Sequence, residues 1–300
     1  MIQDIVKRLD HPLPENSKLI IFGGGFSGQR IASVGRHLRV KVLCSRRKEN
    51  SKGADFVFNT DKAVSNEIFE GVTHVLSCIP PLSSGEDPVL NKLQTQLLNS
   101  KNLKWVGYLS TTGVYGDTKG AWVNEKTSPN PQQERSIRRF SCEKQWLETK
   151  LPVQILRLPG IYGPGRSVFE SLLKGTTKMV DKPGQVFSRV HVDDIAGAVL
   201  FLINLYSKGK NPSVVNVADN LPTNNLDVIS FAARLAKKTL PPKIPFEIAK
   251  ETMSPMALSF WHENRKVDNK LLCETLGYSL IYPDFKDGLK NCFSKLKIQN

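Results

Sequence analysis

Lys18-Leu-Ile-Ile-Phe22-Gly23-Gly24-Gly25-Phe26-Ser27-Gly28 is the stretch that decides the fold. Its opening is an apolar run of strand length that stops at glycine, the pattern of a strand buried on both faces. The rest fits Gly-x-Gly-x-x-Gly as Gly23, Gly25 and Gly28, and a helical pattern follows from about Gln29 to His37. A strand that passes through spaced glycines into a helix is a phosphate cradle. Gly23 permits the tight turn, Gly25 lets the backbone approach a pyrophosphate, and Gly28 lets the helix close on the strand. Unpaired N–H groups of the first helical turn then hold the phosphates of a dinucleotide. The alternative reading is a glycine-rich turn with no ligand.

Outward from this loop, short apolar runs alternate with helical patterns. Strands are predicted at Val40–Cys44, Phe56–Phe58, Thr73–Ile79, Lys104–Ser110 and Val153–Arg157, with helices at 88–100 and 136–149. Apolar strands alternating with helices predict an α/β doubly wound parallel sheet covered on both faces. After residue 160 glycine, proline and lysine break the pattern. One strong helix remains from Asp193 to about Leu205, with a strand at Val214–Val217, and the Pro-rich 239–246 segment reads as a loop. The expected organisation is an N-terminal helical extension over 1–17, including the connector Asp10-His-Pro-Leu-Pro14. A dinucleotide-binding domain over 18–158 follows, to which 190–217 returns, and a small mixed C-terminal lobe is made by 159–189 and 218–300.

The chain has 300 residues, 40% hydrophobic and 23% charged, the profile of a globular protein with a sizeable core. No stretch approaches the roughly 18 apolar residues of a membrane span, and Met-Ile-Gln-Asp-Ile-Val-Lys-Arg lacks the apolar core of a secretory signal. Five scattered cysteines without CxxC spacing predict neither a metal site nor a disulfide framework, and fit a reducing cytoplasm. The formal charge of +14 is spread along the chain with no nucleic-acid-binding signature beside it. An anionic nucleotide ligand is the expected partner, with no specific nucleic acid and no membrane; the chain is expected to be a monomer or homodimer.

At the end of the second strand an NAD-binding sheet carries an acid for the adenosine ribose. Here Ser45, Arg46 and Arg47 stand there instead. Paired guanidinium donors suit a 2′-phosphate, so NADP is expected over NAD; the other reading is two solvated loop arginines. Asp61, after the third strand, is either an acceptor for the adenine amino group or a helix N-cap.

These residues, with four further motifs in order, resemble the extended short-chain dehydrogenase/reductases of the NAD-dependent epimerase/dehydratase group. Gly24–Gly28 resembles the G-x-x-G-x-x-G loop, with Phe22 in place of its first glycine. Leu109-Ser-Thr-Thr-Gly-Val-Tyr-Gly116 resembles the strand end that supplies a catalytic Ser or Thr. Arg157-Leu-Pro-Gly-Ile-Tyr-Gly-Pro-Gly165 resembles the turn into the substrate lobe. Val190-His-Val-Asp-Asp-Ile-Ala196 and Lys266-Val-Asp-Asn-Lys with Leu276-Gly-Tyr278 resemble the later signatures. Pro80-Pro81 and the Glu143–Trp146 stretch are similar to an atypical branch labelled nucleoside-diphosphate-sugar epimerase-like.

The resemblance implies hydride chemistry on a carbonyl or alcohol, with a Tyr-x-x-x-Lys pair on one helix and a neighbouring hydroxyl on the substrate oxygen. Thr111 matches the hydroxyl. Phe140-Ser-Cys-Glu-Lys144, with Glu148 one turn on, resembles Tyr-x-x-Ser-Lys-x-x-x-Glu with the tyrosine replaced by Phe140. A second register puts Arg139 and Glu143 at the pair. The stripe Ile137, Phe140, Lys144 and Leu147 is expected to face the sheet, which directs Lys144 to the nicotinamide ribose and leaves Arg139 and Glu143 as an exposed ion pair. An exposed Lys144 paired with Glu148, and Glu143 as a replacement acid, stay open. The expected catalytic residues are therefore Thr111, Lys144 and Glu143. The cofactor is expected to touch Gly23, Gly25, Phe26, Ser27 and Gly28; Ser45, Arg46, Arg47 and Asp61; Cys78, Ile79 and Pro80; and Thr111, Lys144, Pro159 and Gly160.

Tyr115 and Tyr162 are expected to pack, with their hydroxyls on backbone carbonyls. Gly160 stands where the family often has an Asn. Arg166, Lys178 and Arg189 are the candidate anion contacts of the lobe. His191, Asp193 and Asp194 are expected to cap a helix and tie the lobes together. The function implied is an NADP-binding oxidoreductase or epimerase acting on a nucleotide sugar or small carbonyl compound. A non-catalytic NADP(H)-binding regulatory or redox-sensing protein is the alternative.

Overall fold

The apolar run that leads into the glycines forms strand β1 (Lys18–Phe22), with every residue buried. The structure is a computed structural model and describes residues 2–9, 13–48, 51–59 and 61–296. Helix α1 (Ile2–Val6) precedes β1, and residues 10–12 of the expected connector lie outside the described residues. After β1 come α2 (Phe26–His37), β2 (Lys41–Arg46), β3 (Phe56–Val57), β4 (His74–Ser77), α3 (Pro88–Asn99) and β5 (Trp105–Thr111). A short β6 (Trp122–Val123), α4 (Glu134–Leu147) and β7 (Val153–Leu158) follow. In the second half lie β8 (Gly160–Tyr162), α5 (Val168–Leu173), β9 (Met179–Asp181), β10 (Arg189–His191), α6 (Val192–Ser207) and β11 (Val214–Asn216). The chain continues through α7 (Asn225–Ala236), β12 (Lys243–Pro245), α8 (Phe246–Ala249), α9 (Pro255–Trp261), β13 (Lys266–Val267) and α10 (Phe285–Leu296).

Seven strands make one sheet in the order β11-β7-β5-β4-β1-β2-β3, and every pairing is parallel. Strands β1, β4 and β7 are buried along their whole length because helices cover both faces. On one face Ile31, Ala32 and Val34 of α2 pack with Ile195, Val199 and Leu202 of α6. On the other, Val89, Leu93 and Leu97 of α3 join Cys142 and Trp146 of α4. The chain leaves β1 for β2 on one side and reaches β4 on the other. The strand order thus reverses at β1, which opens a crevice at the carboxyl ends of the strands.

The second half adds a small lobe over that edge. It contains the two-stranded pairs β8–β10 and β9–β12, and β6 pairs with β13 beside the crevice. Its core joins Tyr162, Phe169, Val228, Phe285 and Leu289. Segment 239–246, expected as a loop, instead contains β12 and the start of α8, because Ile244 pairs with Val180 of β9. A two-stranded edge tolerates Pro245, whose missing N–H is not needed inward. Helix α5 escaped the sequence pattern but carries its own start signal. The Ser167 hydroxyl accepts the Phe169 N–H, and the Glu170 carboxylate accepts the Ser167 N–H at 2.6 Å. Among the described residues no helix is long and apolar enough to cross a membrane.

Candidate functional site

The glycine loop meets the demands of a phosphate cradle. Gly23 has φ +96°, a conformation that L side chains rarely adopt. Its N–H donates to Ser45 Oγ at 3.0 Å, and the Gly24 N–H donates to the Ser45 carbonyl at 2.7 Å, which pins the loop to the end of β2. A Cβ on Gly28 would lie 2.3 Å from the Gly23 carbonyl oxygen, so only glycine lets α2 close on the turn. A Cβ on Gly25 would meet nothing within 4 Å, and Gly25 provides no side-chain cap. The N–H groups of the first turn, at Phe26, Ser27 and Gly28, are thus open to a ligand. These residues fit a dinucleotide.

Arg46 ends β2 and Arg47 follows it, exposed. Among the described residues Arg46 Nε is buried without a hydrogen-bond partner. The nearby acid, Asp55, is already engaged: its Oδ2 accepts from the Cys44 N–H at 2.7 Å and from Arg36 at 2.5 Å. Asp61 is exposed and starts no helix. The next turn, Asn66–Phe69, is capped by Ser65, so the N-cap reading is corrected. Cys78 and Ile79 lie against Gly23: Ile79 Cγ1 stands 3.0 Å from the place of a Gly23 Cβ, and the Cys78 N–H donates to the Phe22 carbonyl at 2.8 Å. Burial pushes the Cys78 thiol well up, so it stays protonated.

Next to this loop a cleft of about 710 Å³ opens over the ends of β4, β5 and β7. Pro80, Thr111, Pro159 and Gly160 line it. Thr111 Oγ1 accepts the Gly113 N–H at 3.1 Å, which leaves its own O–H free to donate.

Helix α4 presents a different face from the expected one. Ile137 and Leu147 are 48% and 43% exposed. Lys144 is exposed, its Nζ 4.7 Å from the centre of the Phe140 ring, and does not line the cleft. Phe140 packs outside the cleft against Val114, Tyr115 and Val267. The inward stripe is Ser136, Arg139, Glu143 and Trp146. Arg139 NH1 donates to the Ile79 and Leu109 carbonyls and the Tyr108 hydroxyl, each at 3.1 Å. Glu143 is 1% exposed and forms a bidentate pair with Arg157 of β7, with NH2–Oε2 at 2.6 Å and Nε–Oε1 at 3.1 Å. The Ser110 hydroxyl donates to Glu143 Oε1 at 2.5 Å. Glu143 is therefore neither an exposed partner of Arg139 nor a cleft acid. Burial opposes the Arg157 charge, but Glu143 outweighs it and holds the guanidinium above its ordinary value.

Polar partners on the strands, not apolar periodicity, set this face. With Glu143 at the acid position of Tyr-x-x-Ser-Lys-x-x-x-Glu, Arg139 takes the lysine position and Arg135 the tyrosine position. Both line the cleft, as do Arg138, Arg166, Arg189 and Arg265. The spacing from that acid is the signal that could have found the pair.

The aromatic residues near the strand ends behave structurally. The Tyr115 hydroxyl donates to Asn216 Oδ1 at 2.8 Å rather than to a backbone carbonyl, and Tyr162 donates to the Asp284 carbonyl at 3.5 Å. His191 Nδ1 accepts the Asp193 N–H at 3.1 Å and caps α6, and burial pulls its pKa down to about 4. Asp193 pairs with Arg30 of α2 at 2.5 Å, and Asp194 accepts the Ile281 and Tyr282 N–H groups. These bonds fasten the cradle helix and the C-terminal segment to α6. Lys178 lies in a neighbouring chamber, where it donates to Thr252.

Asp219 gives a test of burial at the lobe junction. Burial pushes its carboxyl up to about 8, with the Leu221 N–H and the Arg189 charge opposing. An aspartate raised in the folded state binds more protons there than in the unfolded chain between about pH 4 and pH 8. Stability therefore falls as pH rises through that window. Asp219→Asn is expected to flatten the decline of Tm over this range; an unchanged slope would contradict the burial described.

The sequence profile of the NAD dependent epimerase/dehydratase family matches residues 20–218. A conserved protein of unknown function from Silicibacter pomeroyi is 37% identical, with TM-score 0.85, over 93% of this chain and 99% of that one. The human epimerase family protein SDR39U1 with NADPH is 15% identical at TM-score 0.71, over 92% of this chain and 99% of that one. The UDP-glucuronic acid 4-epimerase of Bacillus cereus in complex with NAD is 17% identical at TM-score 0.71, over 93% and 96% of the two chains. No curated protein gave a significant match. The cradle, the parallel sheet and the profile together establish that this chain belongs to the NAD dependent epimerase/dehydratase family.

Proposed function

We propose that this chain is an NADP(H)-dependent oxidoreductase that interconverts a carbonyl and an alcohol with arginine, not tyrosine, beside the reacting oxygen. The observation that carries this reading is Arg139 placed with Thr111 at the ends of β4 and β5, next to the glycine cradle. Gly23–Gly28 and the first turn of α2 would hold the pyrophosphate, and Arg46 the 2′-phosphate. A bound nicotinamide supplies or accepts the hydride. Solved structures of this fold carry NAD in several cases and NADPH in one, so Arg46 is the residue that favours NADP here.

Arginine stays protonated throughout the working pH range and cannot shuttle a proton. It can stabilise negative charge on an oxygen in a partly desolvated site. Arg139 NH1 is used by backbone and Tyr108, while Nε and NH2 have no acceptor among the described residues and remain for substrate oxygen. The Thr111 hydroxyl orients that oxygen, and the proton reaches it from water. One observation favours a second reading, a non-catalytic NADP(H)-binding regulatory protein. Among the described residues the cleft has no Tyr, His, Lys or Cys lining.

Arg46→Ala is expected to weaken NADPH binding by about ten- to hundredfold, the loss of charge-assisted hydrogen bonds to phosphate, and to leave NADH nearly unchanged. Calorimetric titration of both dinucleotides checks it, and equal losses would remove Arg46 from the 2′-phosphate. Oxidation of NADPH with carbonyl compounds separates the two readings. Tight binding without turnover, and unequal affinity for the two redox forms, would select the regulatory one.

A further inference from the structure

The cleft holds more positive charge than carbonyl reduction requires. Six arginines line it, Arg135, Arg138, Arg139, Arg166, Arg189 and Arg265, against the single acid Glu263. Glu263 is already bound by Arg265 at 2.6 Å, and Arg138 is paired outward with Glu134 at 2.5 Å. Arg189 NH1 donates to the Phe187 and Thr223 carbonyls. Arg135 and Arg166 have no hydrogen-bond or ion-pair acceptor among the described residues, although each touches a ring. Arg135 lies 3.9 Å from the centre of Phe260, and Arg166 5.6 Å from that of Phe26. A guanidinium over a ring keeps its edge donors free in its own plane, the geometry that receives carboxylate or phosphate in a fork.

We propose that the cleft binds a carbonyl compound bearing at least two oxyanion charges, carboxylate or phosphate, and that Arg135 and Arg166 hold those charges. The carbonyl part rests on the oxidoreductase reading; the anion site follows from the arginines themselves. Clustered cations repel one another, and an anion between them relieves that repulsion while it satisfies the free donors.

The test titrates the purified full chain with 2-oxoglutarate, citrate, inorganic pyrophosphate, UDP and neutral glycerol at fixed ionic strength, with NADPH in parallel. The result expected is saturable binding of the multiply charged small ions and none of glycerol. Arg135→Ala and Arg166→Ala should each weaken it by about tenfold. Arg135→Lys should restore it only in part, because an ammonium cannot fork. The carboxylate and phosphate arms identify which oxyanion the substrate carries. NADPH binding with no anion response, or anion affinity indifferent to both substitutions, would overturn the proposal and leave the oxidoreductase reading standing. Anion binding that depends on both arginines, without any NADPH binding, would overturn the oxidoreductase reading and leave the anion site.

Discussion

Glu143→Ala is expected to destabilise the protein by about 3–5 kcal/mol, because it leaves Arg157 buried and charged without its partner. The Arg157 and Glu143 side chains are 5% and 1% exposed. At the roughly 2–4 °C per kcal/mol typical of chains approaching this size, Tm should fall by about 10 °C. Ser110, which donates to the same carboxylate, also loses its acceptor. Replacing both partners, as Glu143→Ala with Arg157→Met, should recover much of the loss, since an apolar pair leaves no stranded charge. Lys144→Ala, one residue away, should change stability by less than about 0.5 kcal/mol, as expected of an exposed side chain. Thermal melts of the four proteins measure this. If Lys144→Ala were as damaging as Glu143→Ala, the inward face of α4 would be misassigned.

Gly28→Ala should be the most damaging single methyl in the cradle. The added carbon would sit 2.3 Å from the Gly23 carbonyl oxygen, a backbone atom that cannot swing aside. Either α2 moves off β1 or the turn at Gly23 deforms, and both displace the N–H groups that would receive phosphate. Forcing atoms into packed space costs about 1–3 kcal/mol. Carried into binding, that is about ten- to hundredfold weaker NADPH affinity. Gly25→Ala provides the contrast. Its φ of −71° suits alanine and its Cβ meets no protein atom, so Tm should stay near wild type. Affinity should still fall, because the methyl projects into the open space that a phosphate would enter. Fluorescence titration with NADPH beside thermal melts distinguishes the two. Wild-type affinity in Gly28→Ala would mean that the dinucleotide does not sit on this turn.

Phe140, which the sequence aligned with the motif's tyrosine, does not line the cleft, so Phe140→Tyr is not expected to supply the missing phenol. Its ring packs instead against the cluster of Val114, Tyr115, Val123, Ala218 and Val267. The missing phenol belongs to the position now held by Arg135, one turn before Arg139.

The sequence alone determined the sheet and the cradle. Both depend on information that is local along the chain: apolar runs of strand length, spaced glycines, and a helix that begins where they end. The strand Lys18–Phe22, the glycines at 23, 25 and 28, and the arginines after β2 could be read without knowing any neighbour. Only the tertiary structure decided which face of α4 turns inward. That choice rests on Arg157 and Ser110, which lie 14 and 33 residues from Glu143 and meet it only once β5 and β7 pair. Apolar periodicity failed there because the buried stripe is polar, and a buried polar stripe is stable only where distant groups satisfy it. The arginine cleft was hidden for the same reason. Its guanidinium groups come from α4, from the turn after β8, from β10 and from the segment before β13, and nothing along the chain announces that folding gathers them around one space.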